Sequence, residues 1–156
     1  MLASAGFAAY TIPDIMVSKS RKLLLNLGNV VQAALGLGVD SCDLVPRLRA
    51  EAEYVFRARG LTWKDVSTQD PRRSEQMNVV EVPGVERVGG STLQSLLRDA
   101  GSIETDFLNG EIVLQGRLAG VETPLNAAMT RLGAKLLREG AAPGSMTLDD
   151  VNRMLG

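Results

Sequence analysis

A stripe of polar residues on an otherwise apolar helix is the first feature of this sequence that could do chemistry. Lys22, Asn26 and Asn29 stand at positions i, i+4 and i+7 of the segment RKLLLNLGNVVQAALG, so they fall within roughly 60° of one another on a helix. The remaining positions are mostly apolar, which is typical of a buried helix. Because a buried cation costs several kcal/mol without partners, the stripe either lines a polar cleft or is satisfied by groups elsewhere in the fold.

The stripe has two interpretations. In a partly dry cleft, a lysine can donate a proton to a developing alkoxide while neighbouring amides orient a carbonyl or hydroxyl group. The small residues Ala33 and Gly36 continue the same face and would leave room beside the helix. Alternatively, Lys22 extends its ammonium group to the surface, and the two asparagines hydrogen-bond other helices.

The segment GGSTLQSL, residues 89–96, is a second candidate. Ser91 with Gln94 three residues later has the pattern of a capping box, which is a sufficient structural explanation. Two glycines before a helix start would also let a carboxylate or phosphate approach the free backbone N–H groups. Taken alone, the pattern favours capping.

The segment SIETDFLNGEIV, residues 102–113, is a third candidate. Glu104 and Asp106 fall in a first helical turn, where the helix dipole favours negative charge. Asn109-Gly110 follows within the helical pattern, and glycine there costs about 1 kcal/mol relative to alanine. We therefore expect Gly110 to pack closely against another element.

Composition excludes several kinds of site. The chain has 17 basic and 18 acidic residues and only 4% aromatic residues, which speaks against a nucleic-acid partner. It has no histidine and a single cysteine, Cys42, so neither a His-based triad nor a His or Cys metal cluster is expected. We expect a reducing, cytoplasmic location.

Membrane and nucleotide signals are also missing. The apolar run 23–39 is short and is interrupted by Asn26, Asn29 and Gln32, so we expect no membrane span. The N-terminus lacks the basic region of a secretory signal. Gly36-Leu37-Gly38 lies at a helix end rather than after a strand, so nothing in the chain is expected to bind a nucleotide by itself.

The chain as a whole predicts an all-α fold. We expect a long helix from Ile15 to Leu37, capped by Asp14, and a mostly loop region at 70–90. A second helix is expected with Pro46 in its first turn and Gly60 after its last. Thr62 with Asp65 three residues later predicts a further helix start, and Pro71 limits the length of that helix. Other helices are expected at 104–119, at 124–138 and from Thr147, where Asp150 completes a capping pattern.

A strand is indicated only at FAAYTI, residues 7–12, after a glycine. One strand followed by helices alone is an unusual start for a domain. We therefore interpret residues 1–13 as the remnant of a preceding nucleotide-binding domain, and residues 14–156 as a helical substrate-binding and catalytic domain.

The candidate segments, together with a proline turn, match one family in order and spacing. The motifs are KLLLN at 22–26, STLQ at 91–94, ETDFLNG at 104–110 and GVETPLN at 120–126. With them the sequence resembles the C-terminal domain of ketopantoate reductase (2-dehydropantoate 2-reductase), over roughly residues 4 to 140. Val30 stands where many members have a second asparagine, and Asn29 precedes it.

The resemblance implies an all-α domain like that of 6-phosphogluconate dehydrogenase-type reductases, with a short remnant strand at its start. It also implies NADPH-dependent reduction of 2-dehydropantoate to pantoate, in pantothenate biosynthesis, with the NADPH-binding domain absent from this chain. Lys22 would be the general acid, and Glu104 would bind the substrate hydroxyl and help to hold Lys22. Asn26, Asn29 and Ser91 would bind the substrate.

As partners we expect a small 2-keto acid, the missing nucleotide-binding domain and a second copy of the chain in a homodimer. Without the nucleotide-binding half, the chain should be inactive. The alternative is a non-catalytic helical binding or dimerisation module derived from that domain. Keeping Lys22, Asn26, Ser91 and Glu104 together favours the enzyme, because a non-catalytic module has no physical need for all four.

Overall fold

The computed structural model describes residues 3–6, 11–64, 80, 83–84 and 89–155. All regular structure in these ranges is helical, which confirms the predicted all-α class. A short 3-10 helix spans Ala3–Ala5. The α-helices are α1 (Ile15–Asn26), α2 (Asn29–Leu35), α3 (Leu44–Ala58), α4 (Ser91–Leu97), α5 (Thr105–Ala119), α6 (Pro124–Arg138) and α7 (Leu148–Arg153).

Several sequence predictions fall outside the described residues. Residues 7–10 of the expected strand are among them, and Thr11 and Ile12 have no regular structure. Of the helix expected from Thr62 and limited by Pro71, residues 62–64 have no regular structure, and the rest lies outside the described ranges. Most of the expected loop at 70–90 lies there too. The proposed domain boundary between residues 13 and 14 stays a prediction.

The prediction of one continuous helix from Ile15 to Leu37 is wrong. The helix ends at Asn26 and a second begins at Asn29, with Leu27 and Gly28 between them. Gly28 lies so close to α3 that an added Cβ would be 3.0 Å from a methyl carbon of Val45. The turn at Leu27 and Gly28 thus coincides with close packing against α3, which hydrophobic periodicity alone does not reveal.

Side chains from two other helices bind the backbone carbonyls at this break. The Arg49 Nε atom donates to the Leu24 carbonyl oxygen at 3.2 Å, and the Asn109 Nδ2 atom donates to the Leu27 carbonyl oxygen at 3.2 Å. Carbonyl groups at a helix end need such partners because no further turn satisfies them. Arg49 and Asn109 thus stabilise the break between the two halves of the polar stripe.

The expected space beside Ala33 and Gly36 is occupied in part. The Gly144 N–H donates to the Ala33 carbonyl at 3.0 Å, and the Met146 N–H donates to the Ala34 carbonyl at 3.0 Å. A Cβ at Gly36 would lie 3.2 Å from the Gly144 Cα atom. The small residues accommodate the 141–146 connection, which fills the space expected beside Ala33, whereas Gly36 also lines a cavity of about 270 Å³.

In the described part of the chain, two buried clusters form the core. On α6, Met129, Leu132 and Leu136 are buried, as their spacing predicts, and Leu125 is half-buried. The first cluster joins α2, α3, α6 and α7, and the second joins α1, α3 and α5. Its buried members are Leu24, Leu27, Ala52, Val55, Phe56 and Ile112.

The most extensive helix pair is α5 against α6, and two glycines allow it. A Cβ at Gly133 would lie 2.7–2.9 Å from side-chain atoms of Thr105, and a Cβ at Gly116 would lie 2.6 Å from Thr123. At Gly110 the nearest atoms would be 3.8–3.9 Å away, which is ordinary contact. The expected close packing at Gly110 is therefore wrong.

Helix starts follow the sequence in part. Thr147 and Asp150 form the predicted capping box of α7. Asp14 is the N-cap residue of α1 but makes no side-chain capping hydrogen bond. Within the described ranges, no helix combines the length and apolarity that a membrane crossing requires.

Candidate active site

Three of the predicted site residues meet at the ends of three helices. The Asn29 Nδ2 atom donates to the Ser91 hydroxyl at 3.4 Å, and that hydroxyl donates to Glu104 Oε2 at 3.2 Å. Asn29 begins α2, Ser91 begins α4 and Glu104 is the N-cap residue of α5. The fold thus joins residues from the three candidate segments into one hydrogen-bonded chain.

The capping box predicted at Ser91 is not formed. The N-cap residue of α4 is Gly90, which has no side chain with which to cap the helix. The Gln94 side chain donates instead to the Gly89 carbonyl at 2.9 Å. The Gly90 N–H donates to Gln32 Oε1 at 2.7 Å, so this amide is not free for an anion. The Ser91 hydroxyl is left for Asn29 and Glu104.

Lys22 and Asn26 lie on α1, across the break from Asn29. The Lys22 side chain is exposed and Asn26 is half-buried. Within the described ranges, neither side chain takes part in a hydrogen bond or ion pair, and no ion pair joins Lys22 to Glu104. Lys22 is therefore not a buried cation in this chain. The roles given to the five residues stay predictions.

Gln32 is a contact residue that the sequence reasoning missed. It follows Asn29 by three positions on α2, so extending the polar stripe by one helical turn would have found it. A cavity of about 270 Å³ lies beside the helix break. Its polar lining residues are Asn29, Gln32, Ser41 and Arg49.

A buried network of amide side chains lies next to the break between α1 and α2. Asn109 and Asn126 are each about 1% exposed or less, and the Asn109 Nδ2 atom donates to Asn126 Oδ1 at 3.0 Å. Asn126 Nδ2 in turn donates to the Leu48 carbonyl at 3.2 Å and to Glu51 Oε1 at 2.8 Å. Because Asn109 also binds the Leu27 carbonyl, the network fixes the break that separates Asn26 from Asn29.

Glu51 connects this network to the start of α6. Its carboxylate accepts the N–H groups of Leu125 at 3.0 Å and Asn126 at 2.9 Å. These are first-turn amides without intrahelical partners, and the helix dipole favours a negative charge there. The proline at the first helical position, Pro124, needs no such acceptor.

The described residues do not fit a nicotinamide dinucleotide. Gly36 and Gly38 follow α2 with positive φ angles of 93° and 76°, whereas a dinucleotide fingerprint needs a strand before its glycines and a helix after them. No strand occurs in the described ranges. In the same ranges, no group of three His, Cys, Asp or Glu side chains could hold a metal ion. The predicted site residues themselves carry amide, hydroxyl, carboxylate and ammonium groups.

Comparison with known proteins decides the family. A family model described as "Ketopantoate reductase PanE/ApbA C terminal" matches residues 14–136. The chain belongs to the ketopantoate reductase family. The matched range contains the helical C-terminal domain of that family, and it includes all five predicted site residues.

One solved ketopantoate reductase of the PanE/ApbA family, from Ralstonia eutropha JMP134, has a similar fold. The TM-score is 0.60 with 29% sequence identity, and the match covers 88% of this chain. The chain spans 46% of the length of that reductase. A comparison with curated protein sequences finds no match.

Proposed function

We propose that this chain is the substrate-binding and catalytic half of an NADPH-dependent reductase that converts 2-dehydropantoate to pantoate in pantothenate biosynthesis. The observation that supports this most is the Asn29, Ser91 and Glu104 chain. Asn29 and Ser91 are 62 positions apart, and Ser91 and Glu104 are 13 positions apart. Folding thus gathers polar groups that have no local structural need for one another.

Each group has a role in the proposed reaction. The Glu104 carboxylate and the Ser91 hydroxyl bind the hydroxyl and polar end of the substrate, and Asn26 and Asn29 orient it. The Lys22 ammonium group stabilises the charge that develops on the keto oxygen and gives it a proton. No residue described here would hold the hydride donor, so that donor must be held by another domain.

The exposed position of Lys22 is consistent with a site between two domains. Ligand sites commonly form at domain interfaces, and a second domain would exclude water and strengthen the electrostatic interactions of Lys22. We propose that residues 1–13 belong to that nucleotide-binding domain and residues 14–156 to the helical one. The chain alone should bind the substrate and should not reduce it.

The test is NADPH oxidation with 2-dehydropantoate by the chain supplied with a nucleotide-binding half. Lys22→Ala should lower kcat by a factor of about 10² to 10⁴, the contribution of a positioned general acid. Lys19→Ala is the matched control, because Lys19 is also exposed on α1. Near wild-type turnover by Lys22→Ala would contradict the assigned role. Lysine-dependent turnover by the chain alone would contradict its proposed inactivity.

A second candidate function is a non-catalytic binding or dimerisation module. The observation that favours it is a set of exposed apolar residues on α5: Phe107 is 80% exposed, Leu118 57% and Leu114 49%. These positions repeat at helical spacing, and a contiguous exposed apolar patch is typical of an interaction surface. The same residues would support the homodimer that we propose for the enzyme.

Sedimentation velocity with the chain and with Phe107→Glu examines this surface. Self-association that the substitution abolishes would support a dimer, and a monomer at all concentrations would exclude one. Binding of 2-dehydropantoate then separates the two functions, because only the reductase requires it. We further propose a cytoplasmic location, which is consistent with the free, exposed thiol of Cys42.

A further inference from the structure

Two glutamines hold the two glycines before α4. Gln32 Oε1, on α2, accepts the Gly90 N–H at 2.7 Å in a partly buried contact. Gln94 Nε2, on α4 itself, donates to the Gly89 carbonyl at 2.9 Å. The peptide groups that lead into Ser91 are therefore bound from both sides, and Gln32 provides the link from another helix.

The glycines allow α2 to approach this turn closely. Gly89 has a φ of +77°, and a Cβ there would lie 2.9 Å from Leu37 Cδ2. A Cβ at Gly90 would lie 3.0 Å from Asn29 Oδ1 and 3.2 Å from Gln32 Oε1. Side chains at these two positions would push the start of α4 away from α2. Both the glycines and Gln32 thus serve the same contact.

The contacts of Ser91 itself are weaker than this glutamine contact. Its hydroxyl is 3.4 Å from Asn29 Nδ2 and 3.2 Å from Glu104 Oε2, and both contacts are exposed. Hydrogen bonds weaken as they lengthen beyond the usual range of about 2.7 to 3.2 Å. The shorter, partly buried bond at Gly90 therefore has more influence on where Ser91 lies than the bonds that Ser91 forms.

We propose that Gln32 is a positioning residue for substrate binding, acting through Ser91. Its carbonyl oxygen holds the Gly90 N–H and thereby places the adjacent Ser91 hydroxyl against Asn29 and Glu104. The role rests on the proposed function of this site. Small displacements of a site residue can cost up to about 10²-fold, so losing this contact should weaken substrate binding about 10-fold.

The experiment is a titration of the isotope-labelled chain with 2-dehydropantoate, followed by NMR. Gln32→Leu removes the acceptor while keeping a side chain of similar size, and Ser91→Ala removes the hydroxyl that it positions. Each substitution should raise Kd about 10-fold, and the double variant should raise it no further. Gln115→Leu is the matched control, because Gln115 is a half-buried glutamine on α5 that bonds Glu111 and Arg59.

The outcomes separate the possible failures. The positioning role is overturned if the effects of Gln32→Leu and Ser91→Ala on Kd multiply to about 100-fold in the double variant. It is also overturned if Gln115→Leu raises Kd as much as Gln32→Leu does. In either case Gln32 acts through stability. An unchanged Kd in Gln32→Leu would overturn it as well. If the wild-type chain binds neither 2-dehydropantoate nor another 2-keto acid, the proposed function itself fails, and the positioning role fails with it.

Discussion

Replacing Asn109 tests whether the helix break depends on the buried amide network. The Asn109 side chain donates to the Leu27 carbonyl at 3.2 Å and to Asn126 Oδ1 at 3.0 Å. Asn109→Leu keeps the approximate size of the side chain and removes both donors. The two acceptors then remain in a buried region without this partner.

The cost follows from those two acceptors. A buried polar group that loses its partner costs about 1–3 kcal/mol, so two such groups predict a loss of about 3 kcal/mol in the free energy of unfolding. For a domain of this size, each kcal/mol shifts Tm by about 2–4 °C. We therefore expect Tm to fall by about 6–12 °C.

Urea denaturation and thermal melting measure this loss. Asn152→Leu is the control, because Asn152 is exposed on α7, and surface substitutions usually change stability by no more than about 0.5 kcal/mol. A loss below about 1 kcal/mol in Asn109→Leu would refute the reasoning. It would show that the break is held by packing, with the amide network contributing little.

Asn109→Asp gives the same prediction a pH dependence. The new carboxylate would face two oxygen acceptors in a buried position, which raises its pKa in the folded state above the unfolded value of about 3.9. The folded state would then bind the proton more tightly, so the stability of this variant falls as pH rises from about 4 to 7. A deficit relative to the wild type that is independent of pH would show that the carboxyl group is hydrated.

The remaining predictions concern helix packing and one ion-pair partner. Gly133→Ala should destabilise the chain by about 1–3 kcal/mol, since the new Cβ would lie within 3 Å of Thr105. Gly110→Ala should stabilise it by up to about 1 kcal/mol, since the nearest atoms to its Cβ would be 3.8–3.9 Å away. The urea midpoints of the two variants measure both effects. Thr105→Val should keep or raise Tm, because in the described part of the chain the buried Thr105 hydroxyl has no hydrogen-bond partner. A fall in Tm of several degrees would contradict this and show that the hydroxyl has a partner. Hydrogen bonds from the side chain and then the backbone of Thr147 hold the pKa of Asp150 below its ordinary value, so its ionised form stabilises α7 above about pH 4, and this is lost as pH falls through the lowered pKa. Asp150→Asn should flatten that acid dependence in a pH series of melting curves, and an unchanged series would contradict it.

Much of the helical architecture could be predicted from the sequence. The bounds of α6 agree with the prediction at both ends, because Pro124 marks its first turn and a 4-3-4 apolar spacing marks its buried face. The start of α7 follows from Thr147 and Asp150, which satisfy each other's backbone within one turn. Such signals are local, so tertiary packing does not need to be known.

The predictions that failed depend on contacts between distant residues. Nothing between Ile15 and Leu37 specifies a break at Leu27 and Gly28, since the break relies on Val45 and on a carbonyl partner from Asn109. Gly110 and Gly133 look alike in a helical sequence. Only the approach of α5 to α6 decides which of these glycines is tightly packed.

For the candidate site, too, some properties follow from the sequence and others depend on contacts between distant residues. The sequence by itself determined the all-α class and the order of the motifs, because residue type and short spacing carry that information, and the resemblance to the family implies the five residues proposed to act on a substrate. Only the tertiary structure decided that Ser91 bonds Asn29 and Glu104 rather than capping its own helix, and that Lys22 is exposed. A hydroxyl group can satisfy either its own backbone or a distant side chain with similar energy, so the packing of α2, α4 and α5 makes the choice.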